Sequence, residues 1–93
     1  MRRAGKIDAN QNAIVHDLRA AGCSVRITSS LGQGFPDLVV GARGKTFLLE
    51  VKDSSQPPSK RRLTPDEKEF HDSWQGHIAI VETAEEAFKE IFK

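Results

Sequence analysis

Two short apolar stretches, separated by six residues that include two glycines, constrain the fold of this 93-residue chain most strongly. Leu38-Val39-Val40 and Phe47-Leu48-Leu49 contain only apolar residues, and Gly41-Ala42-Arg43-Gly44 lies between them. Short apolar stretches bounded by turn residues are typical of buried strands. A connection this short joins antiparallel neighbours, so the sequence predicts a β-hairpin with strands over residues 37–41 and 45–52.

Two acidic residues and a lysine fall at one end of this predicted hairpin. Asp37 begins the first strand and Glu50 lies near the end of the second, so antiparallel pairing brings both carboxylates to the same end. Glu50 and Lys52 are two positions apart on one strand, and their side chains therefore leave the same face. Val51 lies between them, with its side chain directed to the core and its carbonyl free to bind a metal.

This combination is the chemistry expected of a divalent-metal site. Mg²⁺ or Mn²⁺ prefers oxygen ligands and keeps several waters, so Asp37, Glu50 and the backbone carbonyl of Val51 are the predicted ligands. A bound metal lowers the pKa of water and polarises a phosphate. Lys52 would orient or help deprotonate the attacking water, or offset charge on the phosphorane. Taken singly these residues are more typical of a turn and an exposed pair, but polar groups beside such apolar strands are costly without a task.

The segment before the hairpin predicts one helix and one strand. Ile14 and Leu18 belong to an apolar set with helical spacing, in a helix with Asp8 as its N-cap. Gly22 is typical of the left-handed residue that ends a helix. Residues 24–28 alternate in polarity and predict a strand.

Two threonine-led tetrapeptides predict the starts of two later helices. Thr64-Pro65-Asp66-Glu67 and Thr83-Ala84-Glu85-Glu86 both match the capping box, in which the threonine and the glutamate satisfy each other's backbone N–H. The first of these helices is expected to run through Trp74 and to stop near Gly76. The apolar residues 77–81 between the two helices predict a strand.

The predicted element order is α-β-β-β-α-β-α, an α/β fold with a small mixed sheet flanked by helices. The first three strands should form an antiparallel meander. The strand–helix–strand passage over residues 50–81 predicts a parallel pair joined by a right-handed crossover. A chain of this length is expected to form a single domain over residues 1–93.

Nucleic-acid contacts, if any, must come from local basic patches because the net charge is only +1. Residues 1–7 are expected to form a loose basic arm, and residues 53–62 a flexible basic loop. Lys60-Arg61-Arg62 in that loop is predicted to contact DNA phosphates. Ser30 and Gln33, just ahead of Asp37, are predicted to line the DNA groove.

Other residues exclude several classes of protein. Cys23 is the only cysteine, so neither a disulfide framework nor a cysteine metal site is expected. No apolar run long enough for a transmembrane helix and no secretory signal is visible, which predicts an intracellular, cytoplasmic location. Phe70 and Trp74 are four residues apart and are predicted to pack in the core. The three histidines, which show no metal-ligand spacing and are expected to be surface or partly satisfied residues, are His16, His71 and His77.

At the acidic residues the chain resembles the VRR-Nuc branch of the PD-(D/E)xK nuclease superfamily, in its small stand-alone bacterial and phage form. The motifs that carry the resemblance are Asp8-Ala9-Asn10, Gly34-Phe35-Pro36-Asp37-Leu38, Arg43-Gly44, Leu48-Leu49-Glu50-Val51-Lys52, Leu63-Thr64-Pro65 and Trp74-x-Gly76. The resemblance implies a restriction-endonuclease-like core and Mg²⁺- or Mn²⁺-dependent hydrolysis of DNA phosphodiester bonds. It further implies a homodimer able to cut four-way junctions, with Asp37 and Glu50 as metal ligands and Lys52 as the catalytic lysine.

The chain departs from the family pattern at two positions. The family often has a glutamate on the first helix that reaches the metal site, and Gln11 aligns there. An amide brings no charge but can orient a metal-bound water, which leaves the ligand count open. A glutamine is common in the family's second helix, where this chain has Glu67, and the predicted role of Glu67 is the helix cap.

Two classes of function remain after this comparison. The first is a metal-dependent, structure-selective DNA endonuclease that acts as a homodimer, similar to a Holliday-junction resolvase. The alternative is a DNA-binding or assembly module of the same fold with weak or partner-dependent nuclease activity, which the uncharged Gln11 favours. The last helix, with Phe88 and Phe92, and the basic arm are candidate dimer surfaces.

Overall fold

The computed structural model describes residues 9–93 and shows a four-stranded mixed sheet with flanking helices. The elements, in chain order, are α1 (Ala9–Ala20), β1 (Ser24–Ile27), β2 (Leu38–Ala42), β3 (Lys45–Val51), α2 (Pro58–Arg61), α3 (Pro65–Ser73), β4 (His77–Val81) and α4 (Ala84–Ile91). The predicted N-cap Asp8 and the predicted basic arm lie outside the described residues. Within residues 9–93, no helix combines the length and the apolar character needed to cross a membrane.

The strands are ordered β1-β2-β3-β4, with the first three antiparallel to one another and β4 parallel to β3. The predicted meander and the predicted parallel pair are therefore confirmed. Ala42 pairs with Lys45, so the β2–β3 turn contains only Arg43 and Gly44. Their φ angles are 54° and 80°, the positive values that a type I′ turn requires at both central positions.

The register of the hairpin assigns one face of the sheet to the core. Leu38 pairs with Leu49, and both are fully buried. Helices α1 and α4 cover this face and contribute Leu18 and Ile91 to the same cluster. Because side chains alternate along a strand, Leu48 and Glu50 point to the opposite face. Glu50 therefore lies on the side of the sheet away from this cluster.

Helix α1 ends as predicted. The N–H of Gly22 donates to the Arg19 carbonyl and that of Cys23 to the Leu18 carbonyl, each at 3.0 Å. This pair of bonds is the Schellman motif, in which the residue after the helix is left-handed, and Gly22 has φ of 94°. Cys23, the residue after this glycine, is buried.

The two predicted capping boxes differ in outcome. At α3, Thr64 accepts a hydrogen bond from the Glu67 N–H at 3.2 Å, and Glu67 accepts one from the Thr64 N–H at 2.9 Å, which confirms the box. At α4, Thr83 accepts from the Glu86 N–H at 3.1 Å. The Glu86 carboxylate, however, accepts from the N–H of Glu82, one residue ahead of the cap, at 2.8 Å. The reciprocal bond expected at Thr83 was therefore wrong.

Two regions differ from the expectations drawn from the sequence. Residues 53–62, expected to be a flexible loop, contain the one-turn helix α2, which Pro58 can begin because proline lacks the N–H that a first helical position leaves unpaired. Phe70 and Trp74 stack on each other with ring centroids 5.1 Å apart, but they lie outside the buried core cluster. Trp74 is 43% exposed, so the prediction that this pair packs in the core was wrong. Helical spacing identified the shared face but not what covers it.

Candidate active site

Asp37 lies immediately before β2 and closes the open end of the hairpin. Its Oδ2 accepts a hydrogen bond from the backbone N–H of Val51 at 2.8 Å. Since Leu38 pairs with Leu49, Asp37 falls opposite Glu50, as the sequence predicted. Burial raises the pKa of Asp37, and the Val51 N–H and the nearby Lys52 act against that rise. The Asp37 carboxylate therefore stabilises the hairpin through its hydrogen bond to Val51 and also lies close to other charged side chains.

Glu50 is the most buried acid of the site, at 3% exposure. Its Oε2 lies 3.5 Å from the Lys52 ammonium, while its Oε1 is buried without a hydrogen-bond partner. Burial and the negative charges of Asp37 and Glu67 raise the pKa of Glu50 to about 9. A buried acid with an unpaired oxygen is costly unless something binds it. Glu50 thus marks the point where a cation would be stabilised most.

Lys52 follows β3 and is also buried. Its Nζ lies 3.0 Å from Glu67 Oε1 and 3.5 Å from Glu50 Oε2. Burial alone would lower the pKa of Lys52, but the hydrogen bond and charge of Glu67, together with Glu50, outweigh it and raise the pKa. These contacts therefore favour the protonated, ammonium form of Lys52.

Glu67 lies at the site although the sequence predicted only its capping role. The carboxylate performs that role and also binds Lys52. Burial acts to raise the pKa of Glu67, but the Thr64 N–H and Lys52 lower it overall, so it is the ionised partner. The family pattern held a signal, since a polar residue was expected at this position of the second helix.

Gln11 and Asn10 connect α1 to the surroundings of the site. Gln11 is only 1% exposed, and its amide exchanges hydrogen bonds with the Ser29 hydroxyl at 3.2 and 3.4 Å. Asn10 Nδ2 donates to the carbonyls of Lys52 at 2.9 Å and Glu82 at 2.8 Å, just beyond β3 and β4. Asn10 was not predicted as a site residue, although it belongs to one of the motifs that carried the family resemblance.

The residues predicted to contact DNA lie around α2 and in the loop before β2, and most of them are exposed. Lys60 and Arg61 are on α2, with Arg62 as its C-cap. Lys60 and Arg62 are exposed, while Arg61 is half-buried with an unpaired Nε. Ser30 and Gln33 are exposed in the loop that leads to Asp37, in positions open to a ligand.

The donors at the site fit a partly hydrated divalent cation. Over residues 9–93, no three histidine, cysteine, aspartate or glutamate side chains are arranged as a ligand group. Mg²⁺ does not need such a cage, because it is usually held by one or two carboxylates with water and substrate phosphates completing its shell. Asp37 and Glu50 supply the two carboxylates, and one Glu50 oxygen has no hydrogen-bond partner that would compete with a cation.

Comparison with known proteins identifies a solved structure with a similar fold. Neither a family model nor a curated protein sequence matches the chain. A solved structure described as a "VRR_NUC domain" is similar, with a TM-score of 0.64 and 28% sequence identity. The match covers 87% of this chain and 88% of that one. The protein therefore has the VRR-Nuc fold, a nuclease fold, as its acidic motif predicted.

Proposed function

We propose that this protein is a Mg²⁺- or Mn²⁺-dependent endodeoxyribonuclease that hydrolyses phosphodiester bonds in branched DNA. The observation that carries the proposal is the buried Glu50 carboxylate, which has one unpaired oxygen and lies opposite Asp37 in a nuclease fold. Structural ion pairs normally satisfy their buried oxygens. A buried acid with one unpaired oxygen, placed opposite a second acid, is better explained by a cation that binds there during function.

In this proposal Asp37, Glu50 and the Val51 carbonyl hold the metal, and Gln11 contributes through a water. When bound, the cation would activate water and polarise the scissile phosphate. Asp37 keeps its position through the Val51 N–H, so the hairpin itself fixes one ligand. Lys52 presents an ammonium to the negative charge that develops on the phosphate, which is the role its raised pKa supports.

DNA binding is proposed to depend on the basic segment around α2. Lys60 and Arg62 are exposed and can donate to phosphate oxygens, and the half-buried Arg61 adds a positive charge to the same segment. Ser30 and Gln33, which are exposed in the loop that leads to Asp37, are proposed to line the DNA groove. Because the net charge of the chain is +1, this local patch must supply most of the attraction to DNA.

Selectivity for four-way junctions is proposed to require two copies of the chain. A single copy carries one set of Asp37, Glu50 and Lys52, whereas resolving a junction requires a cut in each of two strands. A two-fold symmetric dimer would present two equivalent sites. The exposed Phe92 and half-buried Phe88 at the end of α4 are a candidate contact between copies.

The deciding experiment is cleavage of a labelled four-way junction beside linear duplex and single-stranded DNA, with Mg²⁺, Mn²⁺ or EDTA. Symmetric, metal-dependent cuts near the crossover, lost in Lys52→Ala and Asp37→Asn, are the expected result. Cutting of linear or single-stranded DNA alone would retain the nuclease and discard the junction selectivity. A chain that is monomeric at micromolar concentration by light scattering would argue against paired cuts.

The alternative is a DNA-binding or assembly module of the same fold, or a nuclease that needs a partner such as a helicase. The observation that favours it is Gln11, which brings no charge to the site and is hydrogen-bonded to Ser29. Tight DNA binding without cleavage, unchanged in Lys52→Ala, would support this alternative. If Gln11 instead borders a working metal site, Gln11→Glu should tighten Mn²⁺ binding, because it adds the acid that related proteins often carry there.

A further inference from the structure

The first turn of α3 reaches the candidate site through one carboxylate. We propose that Glu67 is a positioning residue that fixes the Lys52 ammonium beside Glu50, so that the capping box of α3 sets the direction of the catalytic lysine. This inference deepens the proposed nuclease function and rests on it for its catalytic meaning. The contacts themselves exist without metal or DNA, so they can be tested separately.

A single oxygen of Glu67 performs both tasks. Its Oε1 accepts the Thr64 N–H at 2.9 Å and the Lys52 ammonium at 3.0 Å. The backbone bond orients the carboxylate, and the oriented carboxylate then holds the lysine. The distance from Lys52 to Glu50 is longer, at 3.5 Å. Charge-assisted hydrogen bonds strengthen as they shorten, so Glu67 is the stronger of the two restraints on the lysine.

The helix that carries Glu67 is itself fixed against the loop that carries Asp37. Gly34 has φ of 81°, and a Cβ placed there would collide with the backbone of Asp66 in the first turn of α3. One residue later, the Phe35 ring meets the Phe70 ring edge-on, with centroids 5.2 Å apart. Through these two contacts, the segment that leads to Asp37 packs against α3. The position of Asp37 and the position of Glu67, which holds Lys52, therefore depend on the same packing.

Helix α4 provides a matched comparison within the same chain. Thr83 and Glu86 occupy the same cap positions as Thr64 and Glu67, and each threonine accepts the N–H of its glutamate. Within residues 9–93, Glu86 forms no ion pair, and its carboxylate bonds only the Glu82 N–H. A cap alone therefore does not require the lysine contact, and Glu86 variants report what capping contributes by itself.

The first test uses Glu67→Gln in EDTA, without substrate. Glutamine also serves at this position of a capping box, so the helix start is retained while the charge facing Lys52 is lost. The readout is the ammonium ¹H–¹⁵N signal of Lys52, assigned by its loss in Lys52→Ala. A buried, hydrogen-bonded ammonium should be visible in the wild type and in Glu86→Gln. It should shift or vanish through faster exchange in Glu67→Gln, and an unchanged signal there would overturn the proposal.

The second test is kinetic and applies once metal-dependent cleavage is established. Because displacement of a catalytic group by about an ångström can cost on the order of a hundredfold, a loosened lysine should lower kcat by about tenfold or more. KM should stay within about twofold, since Glu67 is not proposed to touch DNA, and Glu86→Gln should match the wild type. An unchanged kcat in Glu67→Gln overturns the positioning role. If the wild type cuts nothing, the nuclease proposal fails while the ammonium signal still decides the contact.

A metal-binding measurement separates positioning from ligation. If Glu67 positions the lysine, Mn²⁺ affinity followed by electron paramagnetic resonance should change by less than about tenfold in Glu67→Gln, whereas Glu50→Gln should weaken it strongly. Loss of Mn²⁺ binding in Glu67→Gln with the Lys52 signal intact would make Glu67 a ligand and overturn the proposal.

Discussion

The Oδ2 atom of Asp37 accepts the backbone N–H of Val51 at 2.8 Å, which ties the start of β2 to the end of β3. Glu50 and Lys52 flank Val51, so this bond sets the spacing between the two candidate metal ligands and the lysine. The same aspartate thus closes the hairpin and lines the site. Its two roles can be separated by choosing the substitution.

Asp37→Asn should retain the fold and lose the response to metal, because the amide oxygen can still accept the Val51 N–H but carries no charge. Asp37→Ala should also lose stability, by about 1–3 kcal/mol, since it leaves a partly buried N–H unpaired. Urea unfolding in EDTA measures the two stabilities, and the same measurement with Mn²⁺ in place of EDTA measures the response to metal. Asp72→Ala is the control, as Asp72 forms an exposed pair with Lys68 that should contribute under about 1 kcal/mol. Equal losses in Asp37→Ala and Asp72→Ala would contradict this assignment.

Metal-free stability should fall as pH rises, because of Glu50. The folded protein raises the pKa of Glu50 from 4.5 to about 9, so between these values it holds a proton that the unfolded chain releases. The free energy of unfolding then decreases with pH, by at most about 1.4 kcal/mol per pH unit. Below pH 4.5 this contribution is constant.

Glu50→Gln isolates the effect, since glutamine does not titrate. The free energy of unfolding of the wild type minus that of Glu50→Gln, measured in EDTA across this pH range, should decrease as the pH rises. Added Mn²⁺ should reverse that trend, because a cation binds the ionised acid. A difference that is flat with pH would show that Glu50 titrates normally.

Asn10→Ala should destabilise the protein by about 1–3 kcal/mol, because it removes the bonds from α1 to the Lys52 and Glu82 carbonyls. Thermal or urea unfolding measures the loss. Asn12→Ala is the matched control, since Asn12 is an exposed asparagine on the same helix. A similar cost at both positions would mean that helix propensity, and not the link to the strand ends, is responsible.

Neutralising Lys60 and Arg62 should weaken DNA binding in a salt-dependent way. Each lost phosphate contact lowers the slope of log affinity against log salt by about 1, so Lys60→Gln with Arg62→Gln should lower it by about 2. Fluorescence anisotropy at several salt concentrations, in EDTA to prevent cleavage, gives the slope. Lys89→Gln on α4 is the control for a general loss of positive charge. An unchanged slope in the double variant would place the DNA elsewhere.

Short-range patterns were enough to predict the hairpin and its acids. The pairing of Asp37 with Glu50, and the shared face of Glu50 and Lys52, follow from strand alternation within sixteen consecutive residues. Glu67 escaped prediction because its contact with Lys52 depends on where the β3–α3–β4 crossover sets the first turn of α3. Sequence spacing defines a helix face, but it does not define the neighbour that the face meets.

The same limit explains the error at Trp74. Its spacing from Phe70 correctly predicted a shared face, yet that face packs beside Phe35 and solvent instead of the buried cluster. The helix cap at Glu86 shows a smaller version of the problem. The residue type predicted a reciprocal bond, but a neighbouring N–H, that of Glu82, was an equally accessible donor.

The two-residue turn at Arg43 and Gly44 has a consequence for how this chain can change. The turn fixes the register, and a slip of one residue along β3 would exchange Leu49 and Glu50 between the two faces of the sheet. A carboxylate would then enter the apolar cluster, and a leucine would replace it beside Asp37. Insertions are usually tolerated best in surface turns, but here a single added residue roughly 20 Å from the acids would remove them from the site.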